Sequence, residues 1–186
     1  MGVSMYSLKH AVAAVLIFGP VAALAGDQTD RSTELMQQLH DADPVDAKKI
    51  ERELDLVWAR SGSPSMDLLM SRGQDALEAG EVEVAIGHFS ALIDHAPDFA
   101  EAYHRRATAF YRQEEFGLAL ADLGRALTLN PNQFDALYGL AVILETLDKQ
   151  DEAFAAYSRV LDIYPTHERA LDAVERLKTQ VTGTDI

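Results

Sequence analysis

Pro97, Pro131 and Pro165 stand 34 residues apart, and other positions keep step with them. Ala85, Ala119 and Ala153 share that spacing. So do Ile93, Leu127 and Leu161, and Ala102, Ala136 and Ala170. A fixed period of this length marks a stacked repeat, in which each unit is one supersecondary element. Such an element cannot bury both of its faces alone, so it must pack on its neighbours. The same stacking produces a long continuous surface and no obvious catalytic pocket.

Each unit reads as two helices. Residues 100–112 and 116–129 are amphipathic stretches split by a polar turn, Gln113-Glu114-Glu115. In the second stretch Phe116, Ala119, Leu120, Leu123, Ala126 and Leu127 recur at helical spacing. Each proline follows a second helix closely; it cannot continue that helix, and it holds the preceding residue out of the α region. Ala107, Ala119 and Ala126 allow close helix approach, and Phe110 and Leu123 fill the space between.

With these residues in register, the chain resembles the tetratricopeptide repeat family, whose pattern runs aromatic, Leu-Gly, Tyr, Ala, Phe, Pro. The first unit carries Leu69, Arg72-Gly73, Ala76, Ala85, Phe89 and Pro97. The second carries Tyr103, Arg106-Ala107, Phe110, Ala119, Leu123 and Pro131. The third carries Leu137, Leu140-Ala141, Leu144, Ala153, Tyr157 and Pro165. The departures fall at the Leu-Gly pair and the aromatic positions, and mostly keep size class. The resemblance implies an all-α, right-handed superhelical solenoid of three helix pairs, residues 65–98, 99–132 and 133–166. Extra helices precede it, and residues 167–186 supply a capping helix and tail. That end helix is expected to bury Leu171, Val174 and Leu177 and to expose Glu168, Arg169, Asp172, Glu175, Arg176 and Lys178.

Residues 1–25 have the form of an export signal. Lys9 and His10 precede a 15-residue apolar run that Gly19-Pro20 interrupts and Ala23-Leu24-Ala25 ends. The run is short for a bilayer, which takes about 20 residues. Cleavage after Ala25 and a periplasmic location are expected, with an uncleaved inner-membrane anchor as the alternative. No cysteine is present, hence no lipobox and no disulfide. Residues 26–64 form a leader and N-terminal helices. Residues 26–31 read as a flexible leader. A first helix spans 33–41, with Leu35, Met36 and Leu39 on one face. Asp43-Pro44 reads as an N-cap followed by proline at the first helical position. The helix it opens carries Ile50, Leu54, Val57 and Trp58 on one stripe. This pair is expected to cap the open side of the first repeat; folding back into the groove is the alternative.

The net charge is −14, from 30 acidic and 16 basic residues. That balance disfavours nucleic acid and anionic lipid. No nucleophile elbow, phosphate loop or zinc-binding His-Glu-x-x-His is present. His88 and His95 share a helix but are seven residues apart, and neither a metal nor a cofactor is expected.

The resemblance places the first helix of each pair on the concave side. Groove candidates are then Met70, Gln74 and Leu77 in the first unit, and His104, Arg105, Thr108, Tyr111 and Arg112 in the second. The third unit offers Asp135, Tyr138, Val142 and Glu145. Tyr and Arg combine contact area with directed hydrogen bonds, which suits a polypeptide ligand. Chaperone-binding members hold a terminal carboxylate with Lys and Asn. Here those positions carry Met70 and Gln74, and Asp135 and Gly139, so that clamp is absent, and Arg105 alone is left for a carboxylate. The expected role is a non-enzymatic interaction module that binds a protein or peptide, as an adaptor or assembly factor. Self-association as a structural envelope protein is the alternative.

Overall fold

The computed structural model describes residues 21–181, all of them helices and short connections. The first 20 residues, with most of the signal segment, and the tail after Val181 lie outside the described residues. Two helices, α1 (Val21–Asp41) and α2 (Pro44–Trp58), come first. Three pairs follow: α3 (Pro64–Glu78) with α4 (Val82–His95), α5 (Ala100–Arg112) with α6 (Phe116–Leu129), and α7 (Phe134–Thr146) with α8 (Gln150–Ile163). The last helix is α9 (Glu168–Val181). Each helix from α3 onward packs on the next, as a stack of pairs requires.

The 34-residue period fixes the close contacts. Ala85, Ala119 and Ala153 are fully buried where the two helices of a pair meet, and Ala102, Ala136 and Ala170 are fully buried between pairs. Gly73 occupies the position of Ala107 and Ala141 in the later units. A Cβ at Gly73 would come within 2.4 Å of the Phe89 ring, so the first unit trades a methyl group for a large aromatic. At the Leu-Gly position of the second unit, Arg106 binds Asp122 through two hydrogen bonds of 2.7 and 2.8 Å and reaches Ser90 at 3.1 Å. One guanidinium thereby ties α4, α5 and α6 together.

The turns within pairs repeat as well. Gly80, Glu114 and Asp148 all have positive φ (79°, 61° and 59°). At each, the following amide bonds back to the last turn: Glu81 to Ala76, Glu115 to Phe110 and Lys149 to Leu144, at 2.8–3.0 Å. This is the left-handed C-terminal cap that satisfies a helix's orphan carbonyls.

The N-terminal helices depart from expectation. They do not cap the first repeat. Leu35, Leu39, Ala47 and Leu54 join one core cluster with Phe134, Tyr157, Tyr164 and Leu177 of α7, α8 and α9. Trp58 lies 5.4 Å from Phe134, which in turn meets Tyr164 edge-on. Glu51 accepts from the Tyr164 hydroxyl, and Lys48 pairs with Glu168. The hairpin therefore folds back over the N-terminal ends of α5, α7 and α9. The physical reason is apolar area: Phe134 and Tyr164, at the starts and ends of helices, offer the stripe of α2 a larger aromatic face than the edge of α3. As expected, Asp43 caps α2 by accepting from the amides of Val45 and Asp46.

Two smaller corrections concern the ends. Residues 26–31 are not a separate leader but part of α1, and Arg31 pairs with Glu34 and Glu53. In α9 the buried stripe is Ala170, Ala173 and Leu177, while Leu171 is 45% exposed, because the helix is rotated towards its small residues. Among the described residues no helix is long and apolar enough to cross a membrane.

Candidate functional site

The first helices of the second and third pairs, α5 and α7, line a cavity of about 450 Å³ on the concave side. Its apolar wall is Tyr111, Leu123, Tyr138, Val142 and Ile143. Its polar wall holds His104, Arg105, Thr108 and Asp135 from the stack, Arg169 from α9, and Glu51 and Asp55 from α2. The hairpin thus builds one side of the groove.

Of the residues singled out in the sequence, His104, Arg105, Thr108, Tyr111, Tyr138 and Val142 come together in this cavity, with Asp135. Four others do not. Met70 is 2% exposed and packs with Phe89 and Leu92 in the core of the first repeat, and Leu77 belongs to the same core. Gln74 is half-buried and outside the cavity. Arg112 is also outside; it donates to the Leu77 carbonyl and so closes the end of α3. Met70, Gln74 and Leu77 stand one 34-residue period before His104, Thr108 and Tyr111, so they keep the same register, but no residue of α3 lines the cavity. Glu145 lies outside too, paired with Arg176 and accepting from the Tyr157 hydroxyl.

Beneath the cavity floor lies a buried polar network. Glu101, 3% exposed, accepts from Arg105 Nε at 2.5 Å, contacts His104 Nδ1 at 3.4 Å and takes a bond from Gln133 Nε2. Burial alone would raise the Glu101 pKa, but His104 and Arg105 outweigh it and hold the carboxyl below its usual range. Burial likewise opposes a charged His104, yet Glu101 wins and its pKa is raised. Arg105 is therefore engaged through Nε by an internal carboxylate while still lining the cavity.

The carboxylates facing the cavity behave differently. Asp55 is pushed up to about 7, first by burial and then by Asp135, with Arg105 opposing. Glu51 is also raised, by burial and by Asp135. Neither Asp55 nor Asp135 has an ion-pair partner within 4.0 Å among the described residues. Sequence reading missed Glu51 and Asp55. Their i, i+4 spacing beside the α2 stripe marks a shared polar edge, but only long-range packing shows what that edge faces.

The aromatic side chains are partly committed to their own repeats. Tyr138 packs against Tyr157 and His167, with the Arg169 guanidinium 4.5 Å from its ring centre. Tyr111 is freer, at 39% exposure, and touches Phe116. Among the described residues no cluster of three potential ligands could hold a metal ion.

A tetratricopeptide repeat model matches residues 70–116 and 104–168. The chain belongs to the tetratricopeptide repeat family. A TPR repeat-containing protein of Rhizobium etli is 32% identical over 154 residues, which is 82% of this chain and 76% of that protein. Two solved structures share the family's fold. The first TPR of Spaghetti (RPAP3), bound to an HSP90 peptide, superposes with a TM-score of 0.61 at 24% identity, over 63% of this chain and 93% of that one. MamA superposes with a TM-score of 0.60 at 22% identity, over 73% of this chain and 84% of that one.

Proposed function

We propose that this protein is an interaction module that holds an extended segment of a partner polypeptide in its concave groove. The observation that carries the reading is the cavity itself. It is open, about 450 Å³, walled by Tyr111, Tyr138 and Val142, and edged by polar side chains able to fix a backbone. Ligand sites combine an apolar wall with a few placed polar groups in this way. Solved relatives of the same fold include complexes with HSP90 and HSP70 peptides, which supports a polypeptide as the class of ligand. The form of residues 1–25 supports export, and together with the groove it supports an adaptor or assembly role in the periplasm.

A photo-crosslinking residue at Thr108, on the cavity wall, is expected to capture a partner from cell-envelope extract. The same residue at Leu118, 50% exposed on another helix face, serves as the control. Equal capture from both positions would remove the groove as the site. Export is checked by N-terminal sequencing of the periplasmic protein. A chain beginning Gly26-Asp27 supports a cleaved signal, and Met1 on membrane-bound protein would mean an anchor.

A further inference from the structure

We propose that the groove selects a positively charged segment, with a lysine or arginine side chain entering the cavity to meet Glu51, Asp55 and Asp135. The inference rests on the groove reading above and adds the chemistry of the partner.

Charge complementarity carries it. Three carboxylates face the cavity from two elements, α2 and α7. Asp55 and Asp135 have no ion-pair partner among the described residues, and Glu51 has only the Tyr164 hydroxyl at 3.2 Å. The positive groups nearby are already engaged. Arg105 and His104 are held by Glu101, and Arg169 lies over the Tyr138 ring. Arg105 acts on Asp55, and Arg169 on Glu51, without ion-pair contact and so offset only part of the desolvation penalty; a cationic ligand in contact relieves the rest. The raised pKa of Asp55 is consistent with that penalty. The opposite wall suits the rest of such a side chain. Val142 and Ile143 accept an aliphatic stem, and Tyr111 offers a ring to a cationic head. At longer range, the net charge of −14 draws cationic segments in and repels acidic ones.

The hairpin is central to this selectivity. Without α2 the cavity would lose two of its three carboxylates, so the helices placed before the repeats recast the charge of the groove.

Three fluorescent dodecapeptides test the inference against the mature chain by anisotropy. All alternate leucine with a second residue, which is lysine, glutamine or glutamate. The lysine peptide is expected to bind at least about tenfold more tightly than the other two. The Asp55→Asn/Asp135→Asn double variant is expected to lose about that factor for the lysine peptide alone, as removal of one side of a desolvated charge pair does. Thermal melts establish that the variant is folded; both changes keep side-chain shape.

Equal binding of the three peptides would overturn the inference, as would a lysine peptide indifferent to the double variant. A wild-type protein that binds none of them would overturn it as well. The groove reading is judged separately, by cross-linking from position 108, so each can fail while the other stands.

Discussion

Single residues carry the repeat's geometry, and the turn positions show it most directly. Gly80 has positive φ, and a Cβ added there would meet nothing within 4 Å, so Gly80→Ala tests backbone strain alone. It is expected to cost about 1 kcal/mol in urea unfolding. Glu114→Gly, in the same conformation one repeat later, is expected to stabilise by about 0.5–1 kcal/mol. A null result for both would mean that these turns are relaxed in solution. Close packing gives the complementary case. Ala119 is fully buried, so Ala119→Leu should cost about 1–3 kcal/mol, while exposed Glu115→Ala changes little. Asp55 adds a pH dependence. Its folded pKa of about 7 lies above the usual 3.8, so its stability contribution is whole below about pH 4 and is lost as pH rises towards 7. Asp55→Asn is therefore expected to stabilise by about 1–2 kcal/mol at pH 8, allowing for solvent screening, with the gain vanishing near pH 4. Urea melts of both proteins across that range check the sign; a gain that grows towards acid would contradict it.

At the level of elements, the repeats were legible because their information is local and periodic. Proline after each second helix, alanine at each close contact and the 34-residue step suffice to set every helix from α3 to α8 in register. The hairpin was not legible in the same way. The stripe Ile50, Leu54 and Trp58 says that α2 buries a face, but nothing within α2 says against what. Its partners, Phe134 and Tyr164, lie far along the chain and belong to no repeat motif. The groove falls between these cases. Helical offset within α5 and α7 brought together His104, Tyr111 and Tyr138, whereas Glu51, Asp55 and Arg169 reach the cavity only through tertiary packing. Trp58, the sole tryptophan, reports on the hairpin. Leu54→Ala, which empties a fully buried site between hairpin and stack, is expected to cost about 2–5 kcal/mol. Trp58 emission should shift to the red at lower urea than in wild type. An unchanged fluorescence midpoint would mean that the hairpin is not docked as described.

The whole molecule is not a simple linear array. In a solenoid each repeat contacts only its neighbours, and stability is close to a sum of local and nearest-neighbour terms. Here one core cluster joins the hairpin to α7, α8 and α9, a second gathers the first repeat with α5, and a third joins α5, α6 and α7 between them. The N-terminal helices are thus tied to the C-terminal end of the stack and pass over the middle. Two core truncations of similar local cost should then act differently on the hairpin. Leu177 on α9 and Leu92 on α4 are both essentially unexposed, and each →Ala change should cost about 2–5 kcal/mol. Leu177→Ala loosens the cluster that holds Trp58, so fluorescence and circular dichroism should both move to lower urea. Leu92→Ala acts in the cluster of the first repeat. It should lower the midpoint seen by circular dichroism while Trp58 fluorescence lags behind, because the hairpin and the last repeat stay joined after the first repeat has melted. If Leu92→Ala displaces both signals equally, the stack unfolds as one cooperative unit and the clusters at its two ends are not independent. If it moves Trp58 more than Leu177→Ala does, the hairpin draws its stability from the first repeat, and the packing of α2 on Phe134 and Tyr164 is refuted.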